Sequence, residues 1–451
     1  MTMQLPPDSV ARPDSGPTTP VPTTAPTPPA KMRKVAFASF MGTVIEFYDF
    51  SIYGTAAALV FAGAFFPALG DQSATVVSFA TLGVAFVARP LGSILFGHYG
   101  DRLGRKRTLI ATMALMGTAT VLIGLLPTSS SIGVVAPILL VVLRIAQGLA
   151  AGGEWAGAAL FTSEHSPKDR RGFWAMWTNL GGAIANVLAL TVYLIVALYM
   201  SDATFTSWGW RIPFLISVVL VAVGLYVRLR IEETPAFEAE ARRRRDDGGL
   251  PFKEAFAHGW RQILLGAGAL VMAFSLGYIG IAFLTNYGTA TLGLSRPTVL
   301  LAGIIGNLVN GLFCALGGTL SDRFGRRKVL LAANTLGIPW ALLLFPVLDI
   351  GTIGAFYAGL LVTFMIAGTG FGVAGSFLSE LFPTRYRYTA AGLSYSLAGV
   401  LGGAIPPLVA AGIIGTYGGF FFGVLLAGYC FLGLLCTLAL RETRDSELMD
   451  V

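Results

Sequence analysis

Charged side chains are scarce in this chain. They make up 12% of its 451 residues, about half of the ~25% that is typical of soluble domains. Hydrophobic residues make up 55%, which is enough for a dozen membrane spans of about 20 residues each. The net charge of +7 can indicate nucleic-acid binding in a soluble chain, but in a chain this apolar it indicates membrane topology. The composition therefore predicts an integral membrane protein with no nucleic-acid partner.

Cysteine and histidine are also scarce. The three cysteines, Cys314, Cys430 and Cys436, lie in apolar runs and lack the spacing of a disulfide framework or a zinc site. All three histidines lie in polar segments between the apolar runs, so a metal site inside the membrane is not expected. The sequence contains no phosphate-binding loop. We therefore expect no metal and no cofactor, and we exclude ATP as the source of energy.

The first residues are rich in proline. Residues 1–30 contain nine of the 23 prolines, and such a composition is typical of a disordered segment. Lys31, Arg33 and Lys34 then precede an apolar run that is too long for a signal peptide. We predict a disordered cytoplasmic tail over residues 1–32 and an uncleaved first span.

Long apolar runs, bounded by charges or by Gly and Pro turns, occupy most of the remaining chain. Continuous runs are typical of membrane helices, whereas barrel strands alternate in hydrophobicity over about ten residues. The predicted fold class is therefore all-α. The twelve predicted spans lie near residues 35–61, 76–97, 109–126, 134–156, 172–200, 210–231, 260–288, 298–320, 329–348, 352–378, 389–413 and 419–440.

The basic residues predict how these spans are oriented. With a cytoplasmic N-terminus, all of the 31 Lys and Arg residues except Arg89, Arg144, Arg211 and Arg296 face the cytoplasm, in agreement with the positive-inside rule. We therefore predict a multi-pass protein of the plasma membrane with both termini cytoplasmic. Its predicted parts after the tail are a first half (33–231), a cytoplasmic central loop (232–258), a second half (259–440) and a second tail (441–451).

Two loop patterns occur once in each half. One is Gly-x-x-x-Asp-Arg-x-Gly-Arg-basic, after spans 2 and 8, and the other is Ser-Glu-x-x-Pro-x-x-x-Arg, after spans 4 and 10. The chain is therefore a duplicated six-helix unit, an architecture of transporters that bind substrate between their halves near the bilayer midplane. The first pattern supplies the candidate gating residues Gly97, Asp101, Arg102, Gly104 and Arg105, and in the second half Gly318, Asp322, Arg323, Gly325 and Arg326.

These loops resemble those of the major facilitator superfamily, and Arg144 with Gln147 resembles part of its fourth-helix motif. Further segments are similar to the metabolite:proton symporter family: Ile45–Phe50, Ala88–Gly92, Gly152–Trp155, Ser207–Phe214 and Glu380–Pro383. The resemblance covers about residues 33–440 and implies transport of shikimate, 2-oxoglutarate, citrate, proline or glycine betaine. The Gly-Pro motif of many antiporters is missing from helix 5, which favours symport or uniport.

Glu46 and Asp49 lie three residues apart in span 1 and therefore share one face of the helix. Charges inside a membrane are costly and usually functional, and burial beside a second carboxylate favours the protonated acid. We hypothesise that one of this pair takes up a proton outside and releases it inside. The alternative is a fixed ion pair with Arg89 or Arg144 that holds helices together.

Arg144 lies near the middle of span 4 among small residues. Its guanidinium suits a carboxylate, whether of the substrate, of Glu46 or of Asp49. The family resemblance implies that Arg144 takes part in proton coupling, and we group Glu154 of the same span with it. Arg89 in span 2 either binds substrate or extends to the inner membrane interface.

Spans 7 to 12 carry Asp, Glu, Lys or Arg only at their ends, so proton coupling is predicted for the first half. The second half offers amide and phenol side chains. The candidate substrate ligands are the embedded Arg89 and Arg144 of the first half together with Tyr48, Tyr278, Asn307, Asn310 and Tyr395. Polar side chains in spans either bind substrate or join helices.

Asp101 and Asp322 lie beside clustered arginines in the two copies of the first loop pattern. A carboxylate at a helix N-terminus is stabilised by the helix dipole, and arginines pair with acids of the opposite half. We predict a latch that closes the cytoplasmic side, as the family resemblance also implies. The alternative is an anchor of positive charge on the inner face, which accounts for the arginines and not for the aspartates.

Together these features predict a proton-coupled symporter that imports a small polar metabolite by alternating access, acting as a monomer in the bilayer. The embedded arginines favour an organic acid, either shikimate-like or a dicarboxylate. The alternative is a zwitterionic osmolyte such as proline or glycine betaine, for which Tyr48, Trp155, Trp174 and Trp177 form an aromatic box unless they are interface belts. The remote alternative is an intramembrane enzyme. Tyr48-Asp49 resembles half of an aspartyl protease site, but no Gly-x-Gly-Asp occurs in a span.

Overall fold

The computed structural model describes most of the chain. It covers residues 29–103, 105–152, 154–230, 251–384 and 386–446, with side chains except at 29–31, 72, 97–109, 227–230 and 251–254. Within these ranges the chain is helical and contains no strand. Eleven helices are long and apolar enough to cross a membrane, and the shorter apolar helix Ile110–Leu125 adds a twelfth. The predicted all-α fold is therefore confirmed, whereas most of the predicted first tail and central loop lies outside the described residues.

The helices of the first half follow the predicted spans. Two of them change geometry along their length: a π-helical segment interrupts the first, and the fourth has two parts. Their bounds are Pro29–Ala56 with Ala57–Phe61 (π) and Ala62–Phe65 for α1, Asp71–Leu103 for α2, Arg105–Leu125 for α3, Val135–Ala151 with Glu154–His165 for α4, Arg171–Tyr199 for α5 and Ile212–Arg230 for α6.

The second half repeats this order. Its first and fifth helices contain π-helical segments. The bounds are Pro251–Tyr278 with Ile279–Phe283 (π), Leu284–Asn286 and Tyr287–Thr291 (π) for α7, Arg296–Phe324 for α8, Arg326–Leu348 for α9, Ile353–Leu381 for α10, Arg387–Ala398 with Gly399–Ala404 (π) and Ile405–Tyr417 for α11, and Gly419–Ala439 for α12.

Local sequence signals set several helix ends. The side chains of Ser295 and Thr352 accept hydrogen bonds from backbone N–H groups in the first turns of α8 and α10, and a cap of this kind contributes ~1 kcal/mol. Gly325 joins α8 to α9 with a φ of 103°, a left-handed conformation that favours glycine. A Cβ at Gly325 would also crowd the Glu442 carboxylate, whose side chain would have to shift, so the positive φ is the main constraint that selects glycine there.

The two halves pack on each other along their inner helices. α5 packs on α8 and α10, α2 packs on α11, and α1 meets α7. α1 and α7 are the most enclosed spans, and both contain π-helical segments, which often occur at functional sites. Large apolar side chains such as Leu122, Val219, Leu312 and Leu438 are exposed on the outside, as expected for a surface in contact with lipid. The inner helices therefore surround the place where a substrate site is expected.

Candidate functional site

A cavity of about 40 Å³ lies between the halves. It is large enough for water but much smaller than a typical pocket of ~300 Å³ or more, so it has no room for a metabolite in the described conformation. Its 15 lining residues include no charged residue. The polar ones are Ser51, Asn179 and Asn186 of the first half and Tyr278, Asn310 and Tyr395 of the second.

An aromatic and amide cluster joins the halves at one end of this cavity. Asn179 Oδ1 accepts hydrogen bonds from Trp155 Nε1 at 3.1 Å and from the Tyr395 hydroxyl at 3.2 Å. Asn179 Nδ2 donates to the Phe371 carbonyl at 2.8 Å. The Trp155 and Tyr395 rings stack with their centroids 3.5 Å apart and 8° between their planes. Parting the halves must therefore separate the two rings and break hydrogen bonds of Asn179.

The two acidic residues of α1 have different partners. Arg89 Nη2 donates to Glu46 Oε1 at 2.9 Å, and both side chains are almost fully buried. The Arg89 guanidinium also lies 4.2 Å from the centroid of the Phe50 ring. Of the two acidic residues, Glu46 therefore forms the ion pair with Arg89 that the sequence analysis gave as the alternative to a proton site. The alternative that Arg89 extends to the membrane interface is wrong, because the side chain is buried against α1.

Asp49 bonds to an uncharged group instead. The Thr120 hydroxyl of α3 donates to Asp49 Oδ2 at 2.7 Å. Arg144 Nη1 donates to Gln147 Oε1 at 2.8 Å, and Gln147 Nε2 donates to Thr120 Oγ1 at 2.7 Å. Among the described residues, no ion pair involves Asp49. Asp49 and Arg144 are therefore connected through two neutral side chains.

Arg144 is enclosed by protein on all sides. Its guanidinium lies 3.7 Å from the centroid of the Tyr53 ring and donates to the carbonyls of Thr81 at 3.4 Å and Leu82 at 3.3 Å. Neither Arg144 nor Arg89 lines the cavity. The predicted contact of these arginines with substrate is therefore not present in this conformation, because other side chains separate both guanidiniums from the cavity.

The remaining predicted ligands divide into two groups. Tyr278, Asn310 and Tyr395 line the cavity. Tyr48 does not line the cavity, and its hydroxyl donates to the Pro213 carbonyl at 3.1 Å. Asn307 does not line the cavity either, and its amide donates to a carbonyl of its own helix at 2.9 Å. The aromatic box predicted as an alternative is not assembled, since its four members have separate partners: Tyr48 bonds to Pro213, Trp155 stacks on Tyr395, Trp174 contacts Phe173 and Trp177 contacts Phe40.

Besides Ser51, four polar residues of the cavity and of the hydrogen-bond network escaped the sequence analysis as site residues. Thr120 and Gln147 connect Asp49 to Arg144, and Asn179 and Asn186 line the cavity. Gln147 follows Arg144 by one turn and the two asparagines are two turns apart, so each pair shares a helix face. A search for polar residues at these spacings would have found all but Thr120, whose residue type is ordinary in a helix.

The predicted gating residues of the first half remain untested. Gly104 lies outside the described residues, as do the side chains at Gly97, Asp101, Arg102 and Arg105.

The second-half copy of the loop reaches the first half. Both Asp322 carboxylate oxygens accept backbone N–H bonds at 2.8 Å, Oδ1 from Gly172 and Oδ2 from Phe173. These N–H groups belong to the first turn of α5, where a carboxylate is stabilised by the helix dipole. Arg326 Nη1 donates to the same Asp322 Oδ1 at 2.8 Å, so Asp322 is held by its own half while it caps a helix of the other.

Other charged contacts surround this cap. Glu380 lies 3.0 Å from Arg326 of its own half and 3.7 Å from Arg171 of the first half. Arg387 lies 3.5 Å from Glu164 across the halves. A Cβ at Gly318 would lie 2.7 Å from Met176 Cβ of α5, so this glycine permits the close approach. Arg323 instead lies at the surface, where its guanidinium is 5.3 Å from the Phe324 ring centroid.

Comparison with known proteins identifies relatives along nearly the whole chain. The model of the Major Facilitator Superfamily matches residues 39–407. The chain is 41% identical to the Inner membrane metabolite transport protein YhjE of Escherichia coli, covering 94% of this chain and 97% of that protein. It is 39% identical to the Shikimate transporter of the same organism (92% and 96% covered) and 34% identical to its Proline/betaine transporter (93% and 85% covered).

Proposed function

The chain belongs to the major facilitator superfamily, and from that premise we propose that it is a proton-coupled symporter that imports a small polar metabolite. Membership in this family makes it a metabolite transporter and not an enzyme, so the intramembrane-enzyme alternative is wrong. Proton coupling, direction of transport and the chemical class of the substrate are the parts that we propose.

A buried carboxylate without a cationic partner carries the proposal of proton coupling. Asp49 is buried in α1 and accepts a hydrogen bond from the Thr120 hydroxyl, and among the described residues no ion pair includes it. An ionised carboxylate without a counter-charge is unfavourable in a membrane, and a single proton neutralises it. Asp49 is the best proton site, because Glu46 is paired with Arg89 whereas the partner of Asp49 is a hydroxyl.

The same carboxylate supports an organic acid as substrate. An anion in the cavity is repelled by Asp49 while that carboxylate is ionised, and this repulsion is removed when Asp49 is protonated. Proton and anion therefore favour each other's binding. The amides and hydroxyls of Asn186, Tyr278 and Asn310 can bond to both carboxylates and hydroxyl groups. We propose a hydroxylated organic acid, and the relative named Shikimate transporter supports this class.

A zwitterionic osmolyte is the second candidate. The cavity has no charged lining residue and has aromatic walls that include Phe47, Phe50 and Phe371, and aromatic faces attract quaternary ammonium groups. The relative named Proline/betaine transporter also supports this class. An embedded carboxylate that takes up a proton is compatible with either cargo.

We further propose a plasma-membrane location, with both termini cytoplasmic and a monomer as the functional unit. The distribution of basic residues supports this orientation. The relative described as an inner membrane protein supports the location.

The test is external pH in a weakly buffered suspension of energy-depleted cells that express the protein. Shikimate, succinate, citrate, proline and glycine betaine are added singly. We expect alkalinisation with one of them, abolished by Asp49→Asn and retained by Asp169→Asn, which alters an exposed loop aspartate. Alkalinisation that survives Asp49→Asn would contradict the proton site, and transport of one compound without alkalinisation would contradict proton symport.

A further inference from the structure

Thr120 lies between a carboxylate and an arginine that do not touch each other. It is buried on α3 and belongs to a chain of hydrogen bonds that runs from Arg144 through Gln147 and Thr120 to Asp49. The other three side chains are buried too. Every donor in this chain points from the guanidinium towards the carboxylate. Such an aligned chain polarises each of its members and stabilises the ionised acid.

The Thr120 hydroxyl has a second acceptor within reach. Its oxygen lies 2.9 Å from the Met116 carbonyl of the preceding turn and 2.7 Å from Asp49 Oδ2. A hydroxyl has one proton to donate and two lone pairs to accept with. One lone pair is used by Gln147 Nε2, so one acceptor position remains for a donor on the side of Asp49.

We propose that Thr120 is a positioning residue that switches between two hydrogen-bonded states when Asp49 gains or loses a proton. With Asp49 ionised, the Thr120 hydroxyl donates to Oδ2. When a proton from the outer aqueous side binds to Oδ2, the new O–H donates to Thr120 Oγ1 and the Thr120 hydroxyl turns to the Met116 carbonyl. Gln147 donates to Thr120 in both states. The new O–H bond at Asp49 Oδ2 forms as an O–H bond of a hydronium ion on the outer side breaks, and no other covalent bond changes.

This arrangement keeps the Thr120 hydroxyl and Asp49 Oδ2 hydrogen-bonded in both states. An unsatisfied buried group would favour one protonation state over the other, and a carrier must visit both in each cycle. The switch also changes the electrostatic environment of Arg144, because the aligned donors from Arg144 to Asp49 are interrupted at Thr120 once the proton is bound. The inference rests on the proposed function, since it assigns the coupling proton to Asp49.

The fixed charges around Asp49 are few. Arg144 and Glu154 of α4 act on it electrostatically, and Glu46 of its own helix is neutralised by Arg89 of α2. None of these groups contacts the Thr120 side chain directly. Replacement of the Thr120 hydroxyl therefore tests the hydrogen bond and leaves the charges in place.

The test is a pH titration of the purified full-length protein in lipid nanodiscs, followed by the infrared C=O stretching band of protonated carboxylic acids. The band that disappears in Asp49→Asn reports Asp49. Thr120→Val, which keeps the shape of the side chain, removes a donor from the ionised carboxylate and an acceptor from the protonated acid. Because a hydrogen bond to a charged group is the stronger of the two, we expect the titration midpoint of Asp49 to rise by about one pH unit, while Thr120→Ser keeps the midpoint of the unaltered protein.

Thr437→Val is the matched control, because Thr437 of α12 is equally buried and donates only to the carbonyl four residues before it. Should Thr120→Val prove unstable, Gln147→Leu provides a second variant that weakens the same chain and is expected to raise the midpoint. A midpoint unchanged in Thr120→Val, or raised equally in Thr120→Ser, would overturn the switch alone. The absence of any band that depends on Asp49 would overturn the proton site, and the switch with it.

Discussion

At the scale of single residues, α1 carries two carboxylates that share a helix face but differ in environment. Glu46 is held by a guanidinium, and Asp49 is held by a hydroxyl. The sequence predicted their shared face, because three-residue spacing is a local property of a helix. It did not predict which of them is paired, because the partners Arg89 and Thr120 come from two other helices and no local pattern records that choice.

Glu46→Gln is expected to destabilise the protein more than Asp49→Asn does. It leaves the buried Arg89 guanidinium without its counter-charge, and removal of one member of a buried ion pair costs about 3–5 kcal/mol. Asp49→Asn breaks no ion pair, because the partner of Asp49 is a hydroxyl. The measurement is thermal unfolding of the purified variants in detergent.

The double variant Glu46→Gln with Arg89→Gln is the control for this comparison. It removes both charges and is expected to regain most of the lost thermal stability. Equal unfolding temperatures for Glu46→Gln and the unaltered protein would show that the ion pair is not structural.

Asn310→Ala is expected to weaken substrate binding. Asn310 lines the cavity, and loss of one neutral hydrogen bond is worth about 0.5–1.5 kcal/mol. We therefore expect the apparent KM for the compound that causes alkalinisation to rise up to about tenfold with little change in maximal rate. Asn307→Ala, three residues away and outside the cavity lining, should leave KM unchanged; equal KM values for all three proteins would remove Asn310 from the site.

At the scale of helices, local signals predicted the spans but not their irregularities. The apolar runs and the glycines that separate α8 from α9 and α11 from α12 fix where helices begin and end. The π-helical segments of α1, α7 and α11 carry no comparable signal, because an inserted residue is stabilised by packing against other helices. The same three helices contribute residues to the cavity lining, so the backbone that is hardest to predict lies in the helices of the candidate site.

Close packing of α2 on α4 depends on Gly148. A Cβ at this position would lie 2.8 Å from both Ala85 Cα and Ala88 Cβ of α2, so α2 and α4 would have to separate. Gly148→Leu is expected to reduce the amount of folded protein in the membrane several-fold. Gly428→Leu places the same side chain on α12, where nothing lies within 4 Å of the new Cβ; comparable loss in both variants would contradict this explanation.

At the scale of the whole molecule, the contacts around Asp322 and Glu380 determine how easily the halves separate on that side of the protein. The loop pattern predicted that Asp322 meets a helix N-terminus. It did not predict that the helix is α5 of the other half, nor that Trp155 stacks on Tyr395, because these contacts join distant parts of the chain. Helix count and duplication are therefore readable from sequence, whereas contacts between the halves require the folded structure.

Arg171→Gln is expected to open the interface between the halves on the side of Asp322, which we propose to be cytoplasmic. Arg171 contacts Glu380 and donates to the Ser446 carbonyl, both beyond the first half. Cys314 is a native reporter, since it is buried with its Sγ 3.8 Å from the Met176 carbonyl across the interface. With Cys430 and Cys436 replaced by serine, alkylation of Cys314 by N-ethylmaleimide should accelerate about tenfold, as expected for the loss of ~1.4 kcal/mol.

The neighbouring Arg170→Gln is the matched control. Its side chain is exposed and pairs only with Asp169 at the surface, so alkylation of Cys314 should keep its original rate. Equal rates in the Arg171 and Arg170 variants would show that Arg171 does not hold the halves together.

Within the described residues, buried charged side chains in the interior of the spans occur only in the first half, while the second half supplies neutral side chains to the cavity. The two copies of the repeated unit have thus diverged in what they contribute. On the proposed function, substitutions in α7, α8 and α11 alter which cargo is accepted without disturbing Asp49, the proposed proton site. In evolutionary terms, one half can then change its cargo while the other keeps the proposed coupling to protons, which is a short route to a family with many cargoes.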